Sequence, residues 1–194
     1  MAYYTNLPGY SRQSGINLLE MLIVLSITGI LASIALPDLG KMLSRYEGEK
    51  IMNSLARAIA FARAQAVEQG AMITFCRSSD GLKCKGSWHE GAIIFTDYNA
   101  DRIINYNDQI LLHTPAVKTQ GTLKFRAFQN KQYLQLTPLG FTNYQNGNFT
   151  WCPEDKDPRQ ARQLIISYTG RTRLAVDSNN DGIRENASGK NISC

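Results

Sequence analysis

The chain has 194 residues, 43% of them hydrophobic and 19% charged, a composition that excludes an intrinsically disordered protein. Its formal net charge of +5 at pH 7 favours an anionic partner without identifying one. The sequence contains no solenoid-type repeat and no low-complexity segment, so repeat arrays are excluded as well.

A short polar leader and a long apolar run make up the N-terminal part of the chain. Residues 1–15 carry Arg12 as their only charged side chain, on the side that the positive-inside rule keeps in the cytoplasm. Residues 16–36 are long enough to span a bilayer as a helix, and Glu20 is their only charged residue.

Three interpretations of this apolar run are open: a signal peptide, a membrane anchor, or the core of an assembly. Ala32, Ser33 and Ala35 roughly match a signal-peptide cleavage site, so these residues do not exclude the first interpretation. Glu20 argues against it, because a carboxylate is costly in hydrocarbon and by default has a partner there. A neighbouring subunit could supply that partner, so we favour an anchor that later becomes a packing surface.

The order of features from residue 15 to residue 37 resembles a type IV prepilin. Gly15 stands before the cleavage point, Ile16 is the new N-terminus, Glu20 is the acid and Pro37 is the kink. Ile16 replaces the usual phenylalanine, and Asn17 stands where threonine is typical. The resemblance implies cleavage and N-methylation by a prepilin peptidase, followed by assembly of the helix, with Glu20, into a filament core.

From residue 38 to Gln69 the pattern becomes amphipathic, with apolar side chains at helical spacing on one face. These side chains are Leu39, Met42, Leu43, Tyr46, Leu55, Ile59, Ala62 and Ala66. Pro37 should kink the helix without ending it, because the periodicity resumes at once, and Gly70 is a suitable C-terminal cap. We therefore predict one long helix whose second half is covered by a sheet.

Beyond Gly70 the apolar period becomes two, which is typical of strands. The runs are AMITFCR, GAIIFTDY, QILLHT, TLKFRAF, YLQLT, FTWC, QLIISYT and RTRLAV. They predict an α+β type IV pilin fold, a long N-terminal helix packed against one or two antiparallel sheets. The predicted domains are a cleaved leader (1–15), the membrane-spanning and filament-core half of the helix (16–37), and a periplasmic or extracellular globular domain (38–194).

Four cysteines lie beyond the apolar helix, and their even number in an exported chain favours two disulfides. Three pairings are possible, and the pairing that keeps the loops local joins Cys76 to Cys84 and Cys152 to Cys194. A zinc site is the alternative, but no C-x-x-C spacing supports it.

Two local motifs refine the resemblance. Trp88-His89-Glu90-Gly91, followed by an apolar strand and an Asp/Asn repeat, is similar to the FimT/GspH group of minor pilins and pseudopilins. The segment 167–173, SYTGRTR, resembles the same group in its strand–Gly-Arg–strand signature.

Alternating Asp and Asn side chains occur in two loops, as in the first positions of a calcium loop. They are Asp97, Asn99 and Asp101 in the first loop, and Asp177, Asn179 and Asp181 in the second. A complete loop needs glutamate at its twelfth position, which is Asp108 in the first loop and Ser188 in the second. Asx-rich turns are common, so we favour turns over calcium and predict no metal and no cofactor.

Enzymatic motifs are absent from the sequence. The only histidines, His89 and His113, form no metal-binding motif, and no nucleophile elbow or phosphate-binding P-loop occurs. We interpret the chain as a non-enzyme.

Basic side chains near the C-terminus suggest a nucleic-acid interface. Arg171 and Arg173 are two apart on a predicted strand, so they share one face, and guanidinium groups suit phosphate geometry. Supporting charge is assigned to Arg184, Lys190, Lys83 and Lys85.

Two functions therefore stay open. FimT-like relatives imply a minor pilin that binds DNA for uptake in natural transformation. GspH-like relatives imply a structural pilin or type II secretion pseudopilin without nucleic-acid binding. Either implies an inner-membrane protein with other pilins as filament partners, and the positive charge favours DNA.

Overall fold

The computed structural model of the protein describes residues 15–194, apart from the side chains of Pro37 and Asp38. Residues 1–14 of the predicted leader lie outside the described part. The described chain divides into two compact units, residues 15–40 and residues 41–194.

A single helix, α1, runs from Leu18 to Gln69 through both units. Asn17 caps its start, because the Asn17 Oδ1 atom accepts a hydrogen bond from the Leu19 N–H at 3.3 Å. Gly70 follows its end with a φ of 60°, the left-handed conformation that terminates many helices. In the first unit the helix is long and apolar enough to cross a membrane, and its apolar side chains are exposed.

Eight strands follow the helix and form two antiparallel sheets. The strands are β1 (Ile73–Arg77), β2 (Ala92–Thr96), β3 (Ile110–Thr114), β4 (Thr122–Ala127), β5 (Tyr133–Leu136), β6 (Gly147–Cys152), β7 (Arg162–Ile166) and β8 (Thr172–Leu174). The first sheet has the order β3-β2-β1-β5 and the second β4-β6-β7-β8. A short 3₁₀-helix, Phe128–Asn130, follows β4. The predicted α+β pilin fold is confirmed, and each predicted run contributes one strand.

The main core of the second unit lies between α1 and the sheets. The helix contributes Ile51, Met52, Leu55, Ala58, Ile59, Ala62 and Ala66. The sheets contribute an aromatic cluster in which Trp88 contacts Phe75, Phe125 and Phe149, with ring centroids 4.7–5.4 Å apart. A smaller cluster of Cys76, Ile93 and Phe95 fills the other face of the first sheet, so its two central strands are buried on both faces.

Candidate nucleic-acid interface

The β7–β8 hairpin at the edge of the second sheet carries the two arginines of the predicted interface. The Ser167 N–H donates to the Arg171 carbonyl at 2.9 Å, and the Gly170 N–H donates to the Ser167 carbonyl at 3.0 Å. Arg173 lies within β8, whereas Arg171 precedes the strand by one residue, so the prediction that both lie on a strand is wrong by that residue. Both side chains are at least partly exposed, and the hairpin brings them together beside its turn.

Gly170 occupies a position in this turn where any side chain would displace neighbouring atoms. Its φ is 71°, and a Cβ atom there would overlap the carbonyl oxygen of Gly140 and approach the Arg63 Cδ atom to 3.1 Å. The Arg63 Nε–H also donates to the Gly140 carbonyl at 3.0 Å. The turn that holds Arg171 is therefore positioned by the Gly140 loop and by α1.

Three exposed aromatic rings cluster at the hairpin turn and the loop that contacts it. Tyr168, in the hairpin turn, stacks on Phe141 with 5.8 Å between ring centroids and contacts Tyr144 at 6.4 Å. The exposed fractions are 51% for Tyr168, 37% for Phe141 and 66% for Tyr144. The Thr142 N–H donates to the Tyr168 carbonyl at 2.9 Å, which joins the aromatic loop to the turn. These rings could not be predicted from the sequence, because their proximity depends on contacts between distant segments.

Two more basic side chains lie on the outer face of the second sheet. Arg173 stands opposite Ile165, which stands opposite Asn148, which in turn stands opposite Arg126. This cross-strand row places the Arg173 and Arg126 backbones about 14 Å apart, at the usual spacing between strands. Lys124 is exposed on the same strand face as Arg126. The alternation of TLKFRAF could have identified this pair, since its apolar residues face the core.

The C-terminal segment lies over the middle of this outer face. Ile192 packs against Ile165 and Cys152 in a small buried cluster. Lys190, in the same segment, is exposed, and its N–H donates to the Asn186 Oδ1 atom at 3.2 Å. The predicted residue Lys190 therefore belongs to the same sheet face as Arg173.

The other three predicted basic residues have different surroundings. An Arg184 Nη2 atom lies 3.9 Å from the Glu49 carboxylate, which also binds the buried Arg162 at 3.1 Å. The Lys85 ammonium lies 3.0 Å from Asp80, whose pKa is held well below its usual range by the Leu82 N–H and by Lys85.

Lys83 and Lys85 follow β1 of the first sheet, so the structure does not place them on the hairpin with Arg171. The predicted basic residues are thus divided between the two sheets, and two of them, Arg184 and Lys85, are ion-paired.

Two disulfides enclose the loops of the globular unit. Cys76 bonds Cys84, and Cys152 at the end of β6 bonds Cys194, so the C-terminal segment is fixed to the second sheet. His89 is half-buried and forms no pair with Glu90: its Nε2 atom accepts the Leu123 N–H at 2.8 Å.

The residues of the predicted prepilin site lie at the start of the described chain. Gly15 and Ile16 precede α1 and are exposed. Glu20 lies in the first turn of the helix, where the N-terminal end of the helix dipole favours a negative charge.

Comparison with known proteins gives concordant matches. The family model described as type II transport protein GspH matches residues 52–170. The chain is 34% identical over 88 residues to the pilin-like protein PilA1 of Thermus thermophilus, a match covering 45% of this chain. It spans about half of that relative, 51% of its length.

The structure is similar to the crystal structure of the type IV minor pilin FimU of Pseudomonas aeruginosa (strain PAO1). The TM-score is 0.54 at 22% identity, over 68% of this chain and 90% of FimU. A second crystal form of FimU gives a TM-score of 0.51 at 21% identity, over 66% and 92% of the two chains. At this identity the likeness establishes a shared fold.

Proposed function

Because the chain belongs to the GspH family of minor pilins and pseudopilins, we propose that it is a minor type IV pilin that binds DNA. Binding uses phosphates, has little sequence preference and serves DNA uptake in natural transformation. The observation that carries the proposal is the β7–β8 hairpin, which presents the exposed side chains of Arg171 and Arg173 and, in its turn, Tyr168, whose ring stacks on Phe141.

The two kinds of side chain contact different parts of DNA. Guanidinium groups bind phosphate oxygens, and each neutralised phosphate releases counterions, so affinity falls steeply as salt rises. Exposed aromatic rings such as Tyr168 and Tyr144 stack on bases that are not paired, whatever the base. The combination favours single-stranded DNA or frayed ends over intact duplex, with Arg126, Lys124 and Lys190 adding positive potential along the sheet.

A structural minor pilin or type II secretion pseudopilin without DNA binding is the second candidate. The ion pairs of Arg184 with Glu49 and of Lys85 with Asp80 favour it, because they reduce the charge available to an anionic ligand. Lys83 in the same loop as Lys85 then remains a solvated surface charge.

A titration of labelled DNA into the full chain in detergent, at two salt concentrations, separates the two candidates. Changing Arg171→Gln together with Arg173→Gln should weaken binding by roughly tenfold or more, since hydrogen bonds to charged groups contribute about 1.5–3 kcal/mol each. For duplex DNA, the slope of log K against log[salt] should become shallower by about two, one for each lost phosphate contact.

The matched control changes Arg45→Gln and Arg57→Gln, two exposed arginines of α1. This control loses the same charge and should keep its affinity within about twofold, because neither residue lies on the hairpin. Absence of binding by the wild-type chain at low salt, or equal weakening in the control, would leave the structural candidate. In a third variant, Tyr168→Ala, single-stranded DNA should lose more affinity than duplex.

The remaining part of the proposal concerns processing and location. A prepilin peptidase removes residues 1–15, cutting between Gly15 and Ile16 and methylating the new N-terminus. Residues 16–37 anchor the protein in the inner membrane and later enter the filament core, and residues 38–194 face the periplasm or the cell surface. Mass spectrometry of the membrane-extracted protein should show a chain beginning at Ile16, whereas a start near Ala35 would contradict this cut.

A further inference from the structure

Three carboxylates converge in the loop that follows β8. One carboxylate oxygen from each of Asp177, Asp181 and Glu185 lies within 4.8 Å of the other two. Within residues 15–194, neither lysine nor arginine pairs with any of the three at 4.0 Å or less. Three like charges at this separation repel each other unless a cation lies among them.

Two oxygens in this cluster are buried and accept no hydrogen bond from the described residues. Glu185 is only 7% exposed, and although its Oε2 atom accepts from the Ser178 N–H and hydroxyl at 2.8 and 2.9 Å, its Oε1 atom has no partner. Asp177 similarly uses Oδ2 to accept the Gly182 N–H at 2.9 Å and leaves Oδ1 buried without a partner. A buried, unpaired carboxylate oxygen is costly, so both oxygens point to a missing positive ligand.

We propose that residues 177–185 bind a calcium ion through Asp177, Asp181 and Glu185. Calcium takes six to eight oxygen ligands in flexible geometry, and a loop that alternates acids and amides before a glycine suits it. Asn179 and the Ile183 carbonyl occupy the third and seventh positions, from which such loops supply further oxygens. The inference is independent of DNA binding.

Sequence spacing alone favours turns over calcium in this loop, because the twelfth position, where a complete loop has its closing acid, holds Ser188. The structure brings in Glu185, at the ninth position, because its N–H pairs with the Val176 carbonyl at 2.9 Å and turns the side chain back into the loop. Gly182 takes the sixth position with a φ of 86°, which a side chain would disfavour.

The first Asp/Asn loop is an internal contrast. Asp97 also keeps one buried oxygen, Oδ1, without a partner among the described residues, but its Oδ2 atom accepts from Thr74, from Gln135 and from the Arg102 N–H. Asp108 accepts from two backbone N–H groups. Arg102 also occupies the position where a calcium loop has glycine. Among residues 15–194 the three-acid cluster occurs in the second loop and not in this one. The first loop therefore differs from the second in lacking the convergence of three acids.

A calcium ion here would join two parts of the C-terminal region. The Asn191 Nδ2–H donates to Asp181 at 2.7 Å, and Glu185 forms an isolated β-bridge with Asn191. The Ile183 N–H donates to the other Asp181 oxygen at 2.8 Å. The ion would thus fix the loop after β8 to the segment that covers the second sheet.

The site can be tested on the full chain in detergent, after EDTA has removed bound metal from the protein. The two measurements are thermal unfolding and calorimetric titration. Calcium should raise the melting temperature saturably, with a Kd of about 10⁻³ M or tighter, the range of extracellular calcium modules. Magnesium should have a much smaller effect, because it requires near-octahedral geometry at shorter distances.

Asp181→Asn with Glu185→Gln preserves side-chain size and should abolish the calcium response. The matched control, Asp101→Asn with Asp108→Asn in the first loop, should keep it. If the first double variant is unfolded by circular dichroism, Asp181→Asn alone should bind calcium roughly tenfold more weakly or worse, since it removes one charged ligand. An unresponsive wild-type chain, an equal response to magnesium, or a response that survives loss of both acids would overturn the proposal.

Discussion

At the scale of the residue, Gly170 holds the candidate interface in place. A Cβ atom at this position would collide with the Gly140 carbonyl and press against the Arg63 side chain, so the turn has no room for a side chain. A glycine in this place allows two chain segments to approach closely, and the arginine that follows is aimed by that approach. The Gly-Arg signature of the sequence therefore has a steric cause as well as an electrostatic one.

Gly170→Ala should lower the free energy of unfolding by about 2–4 kcal/mol, the sum of left-handed strain and forced displacement. Gly189→Ala is the control, because Gly189 has a similar φ of 74° but nothing within 4 Å of the added atom. It should lose only about 1–2 kcal/mol. Chemical denaturation of both variants measures the difference, and equal losses would contradict the role of the contact.

The sequence alone identified part of this site. Arg171 and Arg173 could be predicted, because two residues of one type at a spacing of two share a face. Tyr168 and Phe141 could not, because their contact joins two distant segments of the chain, and proximity between segments is not encoded in local spacing.

At the scale of the element, the outer half of α1 is shaped to receive the second sheet. Gly48 is buried, and a Cβ atom there would lie 2.5 Å from the Trp151 ring and 2.9 Å from the Arg162 side chain. The indole of Trp151 is fully buried in this position. Next to it, Glu49 binds Arg162 through two hydrogen bonds of 3.1 and 3.2 Å, which ties the helix to β7.

Gly48→Ala should therefore destabilise the protein, although alanine in a helix normally stabilises by up to about 1 kcal/mol over glycine. The expected net loss is about 1–3 kcal/mol, typical of overpacking a core. Gly40→Ala, at a helical position with nothing within 4 Å, is the control and should not lower the melting temperature. A melting temperature for Gly48→Ala at or above that of the wild type would show that Trp151 repacks without cost.

The elements themselves were largely predictable, and their arrangement was not. Period-two runs located every strand of both sheets, because one face of most strands packs on the core. The pairing of β5 with β1, and the separation of the strands into two sheets, depend on long-range contacts that no local pattern specifies. β2 is an exception to the period of two: its run is continuously apolar, because both of its faces are covered.

At the scale of the whole molecule, the first unit offers an apolar helix surface with nothing packed on it among the described residues. The helix is long and apolar enough to span a membrane as a single pass, and family membership implies assembly with other pilins. Glu20 is the exception on that surface, an exposed acid in the first helical turn. Its charge needs a partner both in the membrane and in an assembly of pilins.

Glu20→Ala should leave membrane insertion unchanged and reduce incorporation into filaments severalfold, because we propose that the carboxylate pairs with the N-terminal amine of a neighbouring subunit. Immunoblots of sheared filaments and of membranes measure both quantities. Glu68→Ala, at the other end of α1, is the control and should assemble normally. Normal filament content for Glu20→Ala would mean that the acid has no role in assembly.

The bond between Cys152 and Cys194 has a mechanical consequence for the proposed DNA-binding hairpin. Arg171 and Arg173 lie inside the 42-residue span that this bond closes. A pull on the hairpin therefore reaches β6 along two covalent routes, backwards through β7 and forwards through the C-terminal segment and the sulfur bridge. Because both routes carry the force, unfolding the chain along one of them does not lengthen the connection between the hairpin and β6 until the other route unfolds as well.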